Sequence, residues 1–272
     1  MKHSMIKHVL AIALVALTTA MLSGCGSRTD PGVIVAGSTS VQPYAELLAE
    51  EYAHLHPGSL VDVQGGGSSA GITAAMSGTA DIGMSSRELK ASELDMWHVK
   101  FAKDGLAVII NPANPIGGLR LEQVLAIYAA DIDNWSAVGG PDAKIHLIAR
   151  EDGSGTRDAF QSLVMGSSEI SPRAIIQDSN GSVRLLVSGD PHAVGFISLG
   201  LVDDTVKALR LDGIAPTSEN VTNGSYSLYR PFFYVSNGEP EGLAKHFVDF
   251  TLSPEGQKLL IEEGLVPLHQ GE

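Results

Sequence analysis

Arg150, Ser154 and Thr156 lie close together in Ala149-Arg150-Glu151-Asp152-Gly153-Ser154-Gly155-Thr156-Arg157. A guanidinium is a planar fork of charge-assisted donors that suits the oxygens of a tetrahedral oxyanion. Neighbouring hydroxyls add donors, and glycines at 153 and 155 let the backbone approach a ligand closely. If a helix begins here, its first N–H groups lack intrahelical partners and sit at the positive end of its dipole. The chemistry these residue types could do together is anion binding. The plainer alternative is a strand–turn–helix junction whose Ser and Thr only cap the helix.

The elements that must position these residues can be read from hydrophobic spacing. Ile145-His146-Leu147-Ile148 reads as a buried strand before the turn, and Ala159, Phe160, Leu163 and Val164 mark one face of a helix after it. The same order recurs earlier. Val33 to Ala36 is a strand, Gly37-Ser38-Thr39-Ser40 a hydroxyl-rich turn, and Val41 to Leu48 a helix with Pro43 in its first turn. Leu60 to Gln64 runs into Gly65-Gly66-Gly67-Ser68-Ser69-Ala70-Gly71 and a helix carrying Ile72, Ala75 and Met76. Ala80 to Met84 ends on Ser85-Ser86-Arg87. In an open α/β sheet ligands bind beyond the carboxyl ends of strands, so these turns can converge on a shared polyanion site.

Further along, Leu106 to Ile110 reads as a buried strand stopped by Asn111-Pro112-Ala113-Asn114-Pro115, taken as a domain crossing. Leu121 to Ala130 is an expected helix whose apolar face is core, and Asn134-Trp135 with Gly139-Gly140-Pro141 a loop. A short strand at Val194 to Ile197 leads into polar connections through Gly224. Arg230 to Val235 is a strand able to return to the first lobe. The chain ends in two helices, one with Leu243, Phe247 and Phe250, the other capped by Ser253-Pro254-Glu255 and stopped at Gly264. No fixed-period repeat and no low-complexity segment occurs.

With 272 residues, 44% hydrophobic and 18% charged, the chain has a globular composition with ample core. Lys2 and Lys7 precede an apolar stretch, Val9 to Met21, too short for a comfortable membrane span. It ends Leu22-Ser23-Gly24-Cys25, which resembles a bacterial lipobox, and Cys25 is the single cysteine. Residues 1–24 are therefore expected to be a lipoprotein signal peptide, with Cys25 acylated and 25–31 a polar tether. The formal charge of −13 would fall to about −15 on its removal. Such a balance argues against nucleic-acid binding, and it means that a captured anion is held by local donors against the global field.

Other chemistries fit less well. Gly67-Ser68-Ser69-Ala70-Gly71 matches the nucleophile elbow of serine hydrolases and would make Ser69 the nucleophile, with His192 and His246 the available histidines. Neither lies in a stretch resembling a catalytic loop. His54-Leu55-His56 has no metal-ligand spacing around it, so neither metal nor cofactor is expected. No P-loop is present, so any ATPase would be on another chain. Asp131 and Asp133, and Glu262 and Glu263, read as solvated surface.

Taken together, Ala36 to Ser40, Gly65 to Gly71, Asp81 to Arg87 and Arg150 to Arg157 resemble the phosphate-binding lipoproteins of bacterial ABC phosphate importers, over about Val33 to Leu268. The resemblance implies an α/β, type II periplasmic binding protein fold. Two lobes, each a central sheet flanked by helices, would be joined by two crossing strands, with residues 32–110 and 230–272 forming one lobe and 111–229 the other. It implies inorganic phosphate bound in the cleft by Thr39, Ser40, Ser68, Ser86, Arg150, Ser154, Gly155 and Thr156, with Asp152 holding Arg150. At Ser86 some family members carry an aspartate that accepts the phosphate proton. Whether Ser86 accepts or only donates is open, and Arg87 beside it could face ligand or solvent. The implied protein is a monomeric, lipid-anchored, extracytoplasmic receptor that delivers phosphate to membrane permease subunits. Receptors for sulfate, molybdate or tungstate are the alternatives in the same class, and a serine hydrolase or phosphatase those in another.

Overall fold

The computed structural model describes residues 32–268. The first half of the chain alternates strand and helix, as the hydrophobic spacing requires. β1 (Val33–Gly37) leads to α1 (Gln42–Leu55), β2 (Val61–Gly65) to α2 (Ser68–Ser77), and β3 (Ile82–Ser85) to the long β4 (Trp97–Ile110). A short β5 (Gly118–Leu119) precedes α3 (Leu121–Ala129). Then β6 (His146–Arg150) delivers the chain to α4 (Gly155–Phe160), which continues as a π-helical turn over Gln161–Met165. After these come β7 (Ile175–Gln177), α5 (Asn180–Gly189), β8 (Ala193–Ser198), β9 (Lys207–Ala208), β10 (Arg210–Leu211) and α6 (Ser218–Thr222). The chain closes with β11 (Tyr229–Ser236), α7 (Gly242–Leu252) and α8 (Pro254–Glu262).

The main sheet runs β2-β1-β3-β11-β4-β8-β6-β7, with β9 also on β4. β1 pairs parallel with β2 and β3, and β6 parallel with β7 and β8. Between these two parallel groups lie the antiparallel strands β11 and β4. β4 serves both groups: Trp97 to Gly105 pairs with β11, and Leu106 to Ile110 with β8.

Packing divides at the same place. One cluster joins Val35, Leu48, Ile82, Phe101, Phe232 and Phe247. In the other half, alternate β4 side chains go to opposite faces, as a period of two requires. Leu106, Val108 and Ile110 pack with Tyr128, Phe160 and Phe196, while Ala107 and Ile109 pack with Val183, Val187 and Ile197. A strand covered on both faces reads as an unbroken apolar run, which is why Leu106 to Ile110 stands out in the sequence. The strand begins well before that run, at Trp97, because its first half mixes buried and half-buried positions. β7 and α5 were not expected at all, since the short β7 is mostly exposed and gives little apolar signal. Trp135 to Val138 is a 3₁₀ turn in place of a plain loop. Among the described residues, no helix is long and apolar enough to cross a membrane.

Candidate functional site

Parallel pairing puts the carboxyl ends of β1, β2 and β3 side by side, so their turns meet. Gly37 adopts φ +139 and a Cβ there would lie 2.4 Å from the Met84 carbonyl oxygen, so this tight approach of β1 to β3 admits only glycine. Beyond it the hydroxyls converge. Ser38 Oγ donates to Ser86 Oγ at 2.8 Å, and the Ser86 N–H donates to Ser68 Oγ at 3.1 Å. Ser68 and Ser86 Oγ lie 3.4 Å apart. All three serines are buried.

Across from them lies the start of α4. A Cβ on Gly155 would stand 2.3 Å from Ser68 Oγ and 2.6 Å from Ser86 Oγ, so both hydroxyls press against this glycine. Thr156 Oγ1 is 2.9 Å from Ser40 Oγ. Ser154 acts as N-cap, its Oγ accepting the Arg157 N–H at 3.3 Å, so the capping role foreseen as the plain alternative is fulfilled. The backbone crosses here too, Ser69 N–H donating to the Gly153 carbonyl at 3.0 Å.

Arg150 ends β6 and is buried. Asp152 does not hold it. Its side chain is 97% exposed and faces Arg157 at 3.3 Å, because the turn before α4 directs it outward. The adjacent acid does the holding: Glu151 accepts from Arg150 Nε and Nη2, each at 2.9 Å. The Gln177 and Asp178 carbonyls take further bonds from the same two nitrogens. Nη1 is buried with no hydrogen-bond partner among the described residues. A guanidinium fixed on one edge, with a free donor on the other, is built to meet an acceptor from elsewhere.

Arg87, left open between ligand and solvent, is shut away from solvent. It is buried and donates to Glu93 from Nη1 at 2.7 Å and from Nη2 at 2.9 Å. Its Nε lies 3.0 Å from Asp158 Oδ2 on α4, in ionic contact. Burial works to raise the Glu93 carboxyl, but the Arg87 bonds and charge and the Lys90 N–H hold it below the usual carboxylate range. Ser69 Oγ accepts weakly from Arg87 Nη2 at 3.4 Å, and among the described residues no histidine hydrogen-bonds it. His192 sits beside His146, which pairs with Asp190 at 2.6 Å.

Several residues at this cluster had not been singled out. Ser38 belongs to a turn already recognised, as a neighbour of Thr39 and Ser40. Asn180, buried at the start of α5, donates to Thr39 Oγ1 at 3.1 Å and Ser40 Oγ at 3.0 Å. Only the Ser179 cap and the helix after it carry a local signal, since the short β7 before them is mostly exposed. Arg230 on β11 donates to Ser40 Oγ at 2.9 Å and pairs with Asp104 at 2.9 Å.

The cluster thus gathers buried hydroxyls, a helix start and guanidinium donors, with no group of His, Cys, Asp or Glu among the described residues that could hold a metal. The PBP superfamily domain matches residues 25–255. The phosphate-binding protein PstS of Bacillus subtilis is 31% identical over 249 residues, which is 89% of this chain and 82% of that protein. A phosphate ABC transporter substrate-binding protein of Clostridium perfringens, solved with bound phosphate, is 42% identical with a TM-score of 0.85, over 88% of this chain and all of that one. An ABC-type phosphate transport receptor of Vibrio cholerae is 41% identical with a TM-score of 0.72, over 87% of this chain and all of that one. With strand order, hydroxyl turns and sequence all in agreement, the chain belongs to the PBP superfamily and, within it, to the PstS family of substrate-binding proteins of phosphate ABC transporters.

Proposed function

We infer that this protein captures inorganic phosphate between the β1–β3 turns and the start of α4, and presents it to the permease of an ABC importer. The observation that carries the reading is the meeting of buried Ser68 and Ser86 with Gly155 and of Ser40 with Thr156, together with a buried Arg150 whose Nη1 has no partner among the described residues. A phosphate dianion loses a large hydration energy on burial and needs donors on nearly every lone pair. Hydroxyls, amides and one fixed guanidinium meet that need without a basic surface, as a net charge of −13 demands. The protein's work is capture and release, with no reaction of its own, and the ATPase of the importer is on separate chains. Calorimetric titration with phosphate, sulfate and molybdate is the test. Tight phosphate binding with much weaker sulfate and molybdate is expected. Preference for either of the others, or turnover of a phosphomonoester, would replace this reading.

The ligand would lie between two lobes, residues 32–110 with 230–272 and residues 111–229. The division of hydrophobic packing supports two such bodies, with the changeover inside β4 between Gly105 and Leu106 and not after Ile110, as does the antiparallel pairing of β4 with β11 between the two parallel groups. We place the molecule outside the cytoplasm as a monomer tethered by lipid. That proposal rests on Leu22-Ser23-Gly24-Cys25, which lies outside the described residues. Mass spectrometry of the membrane-extracted protein should find acyl chains on Cys25, and Cys25→Ser should release a protein that still binds phosphate.

A further inference from the structure

Arg150 is not alone at the cluster. Arg230 stands on β11 directly opposite Asp104 on β4, and both side chains are buried. Its Nε and Nη2 donate to Asp104 Oδ2 at 3.1 and 2.9 Å, and Nη2 also reaches Ser40 Oγ at 2.9 Å. Asp104 Oδ1 takes the Ser198 hydroxyl at 2.8 Å, so the carboxylate is committed on both oxygens. Arg230 Nη1, however, is buried without a hydrogen-bond partner among the described residues, as Arg150 Nη1 is. Such orphans are rare in native proteins and call for a reason.

Arg230 is buried in reach of the Arg150 charge. Burial is the main cause that lowers the Arg230 pKa, and the Arg150 charge pushes it the same way, against Asp104 and Tyr44. Two buried guanidiniums, each with an N–H that meets no acceptor among the described residues, are costly unless an anion belongs beside them. Ser40 closes the geometry. It accepts from Arg230 and from Asn180, so its own proton is directed away from both, and its Oγ lies 2.9 Å from Thr156 Oγ1 at the head of α4. Arg230 therefore reaches the same hydroxyl cluster from the side of the connecting strands.

We propose that Arg230 is a second anion-binding arginine, whose Nη1 donates to an oxygen of a doubly charged tetrahedral ligand. The reading rests on the phosphate function inferred above and adds to it a donor outside the strand-end turns. With Arg150 and Arg230 each neutralised on one edge by Glu151 and Asp104, the free edges present two N–H groups from opposite sides of the sheet order, β6 and β11. Two guanidiniums favour a dianion over a monoanion of the same shape. Because Arg230 is held by Asp104 on β4, the strand that contributes to the clusters of both halves, ligand contact there also ties the two halves together.

The test uses Arg230→Gln combined with Asp104→Asn, which keeps the pair polar and leaves no uncompensated buried charge. Titrated with phosphate at pH 8, the double variant should bind about 30-fold or more weakly than the parent while its thermal melt stays cooperative. Asp104→Asn alone should tighten binding about threefold, since it relieves Arg230 of its counterion and removes a carboxylate from near the dianion. A purely structural Arg230 predicts instead that both variants weaken alike. A folded double variant with parental affinity overturns the proposal and leaves the phosphate function standing, whereas a parent that binds no phosphate overturns both. Should the double variant fail to fold, a phosphate-bound crystal structure of the parent decides. Nη1 within hydrogen-bond distance of an anion oxygen supports the assignment, and Nη1 turned away from the anion refutes it.

Discussion

At the scale of single residues, the site is a matter of which polar atoms are spoken for. Arg150 spends Nε and Nη2 on Glu151 and two carbonyls, so its remaining Nη1 is aimed by its neighbours before any ligand arrives. Such preorganisation spares the cost of ordering a long side chain on binding. Arg150→Ala should therefore weaken phosphate binding by about 2–5 kcal/mol, roughly 30-fold to several thousandfold in affinity by calorimetry. Ser86 poses a finer question, because a proton acceptor there would favour hydrogenphosphate over sulfate. Its Oγ already accepts the Ser38 hydroxyl, and that leaves its own proton to give away. Ser86→Ala should then weaken phosphate and sulfate in parallel, by about 1–3 kcal/mol each. A loss confined to phosphate would show that Ser86 accepts instead.

At the scale of elements, a strand end, a hydroxyl turn and a helix start are used repeatedly, and this grammar is local enough to read from sequence. Glycine, serine and apolar periodicity mark it within a dozen or so positions, which is why the turns after β1, β2, β3 and β6 could be found without coordinates. What escaped was non-local or ambiguous. Asn180 matters through hydroxyls about 140 residues away in sequence. Arg230 is embedded in Pro231-Phe232-Phe233-Tyr234-Val235, where a core strand is the natural reading. Glu151 and Asp152 are adjacent acids, and only the turn's geometry decides which faces Arg150. The junction of α4 also makes a sharp demand on one residue. Gly155 has ordinary helical backbone, so conformational freedom is not what it supplies; space is. Gly155→Ala would drive a Cβ to within 2.3 Å of Ser68 Oγ and 2.6 Å of Ser86 Oγ, both fully buried with little room to retreat. We expect a stability loss of about 1–3 kcal/mol in thermal melts, with phosphate affinity reduced at least tenfold as the hydroxyls are displaced. An unchanged titration would mean the hydroxyls do not meet the ligand there.

At the scale of the whole molecule, the contacts across the cluster join segments that belong to different hydrophobic cores. Ser40 follows β1 and Thr156 begins α4, while Arg87 follows β3 and reaches Asp158 on α4. On the two-lobe reading proposed above, these contacts form as the cores close around a ligand, and each adds to the free energy of closing. The Arg87 contact is the informative one, because Glu93 holds the guanidinium in place from the side of β3 and neither partner needs to touch phosphate. Asp158 is about one-third exposed on its side chain, so screening keeps the pair modest. Asp158→Asn should raise the phosphate off-rate about threefold and leave the on-rate unchanged, since removing a contact formed after encounter shortens the life of the closed state. Stopped-flow measurement of both rates checks this. In small-angle scattering the phosphate-bound parent should approach the radius of gyration of a compact chain this size, about 18 Å, and the ligand-free protein should be larger. If Asp158→Asn slows association instead, the ion pair acts on encounter, and closure is governed elsewhere.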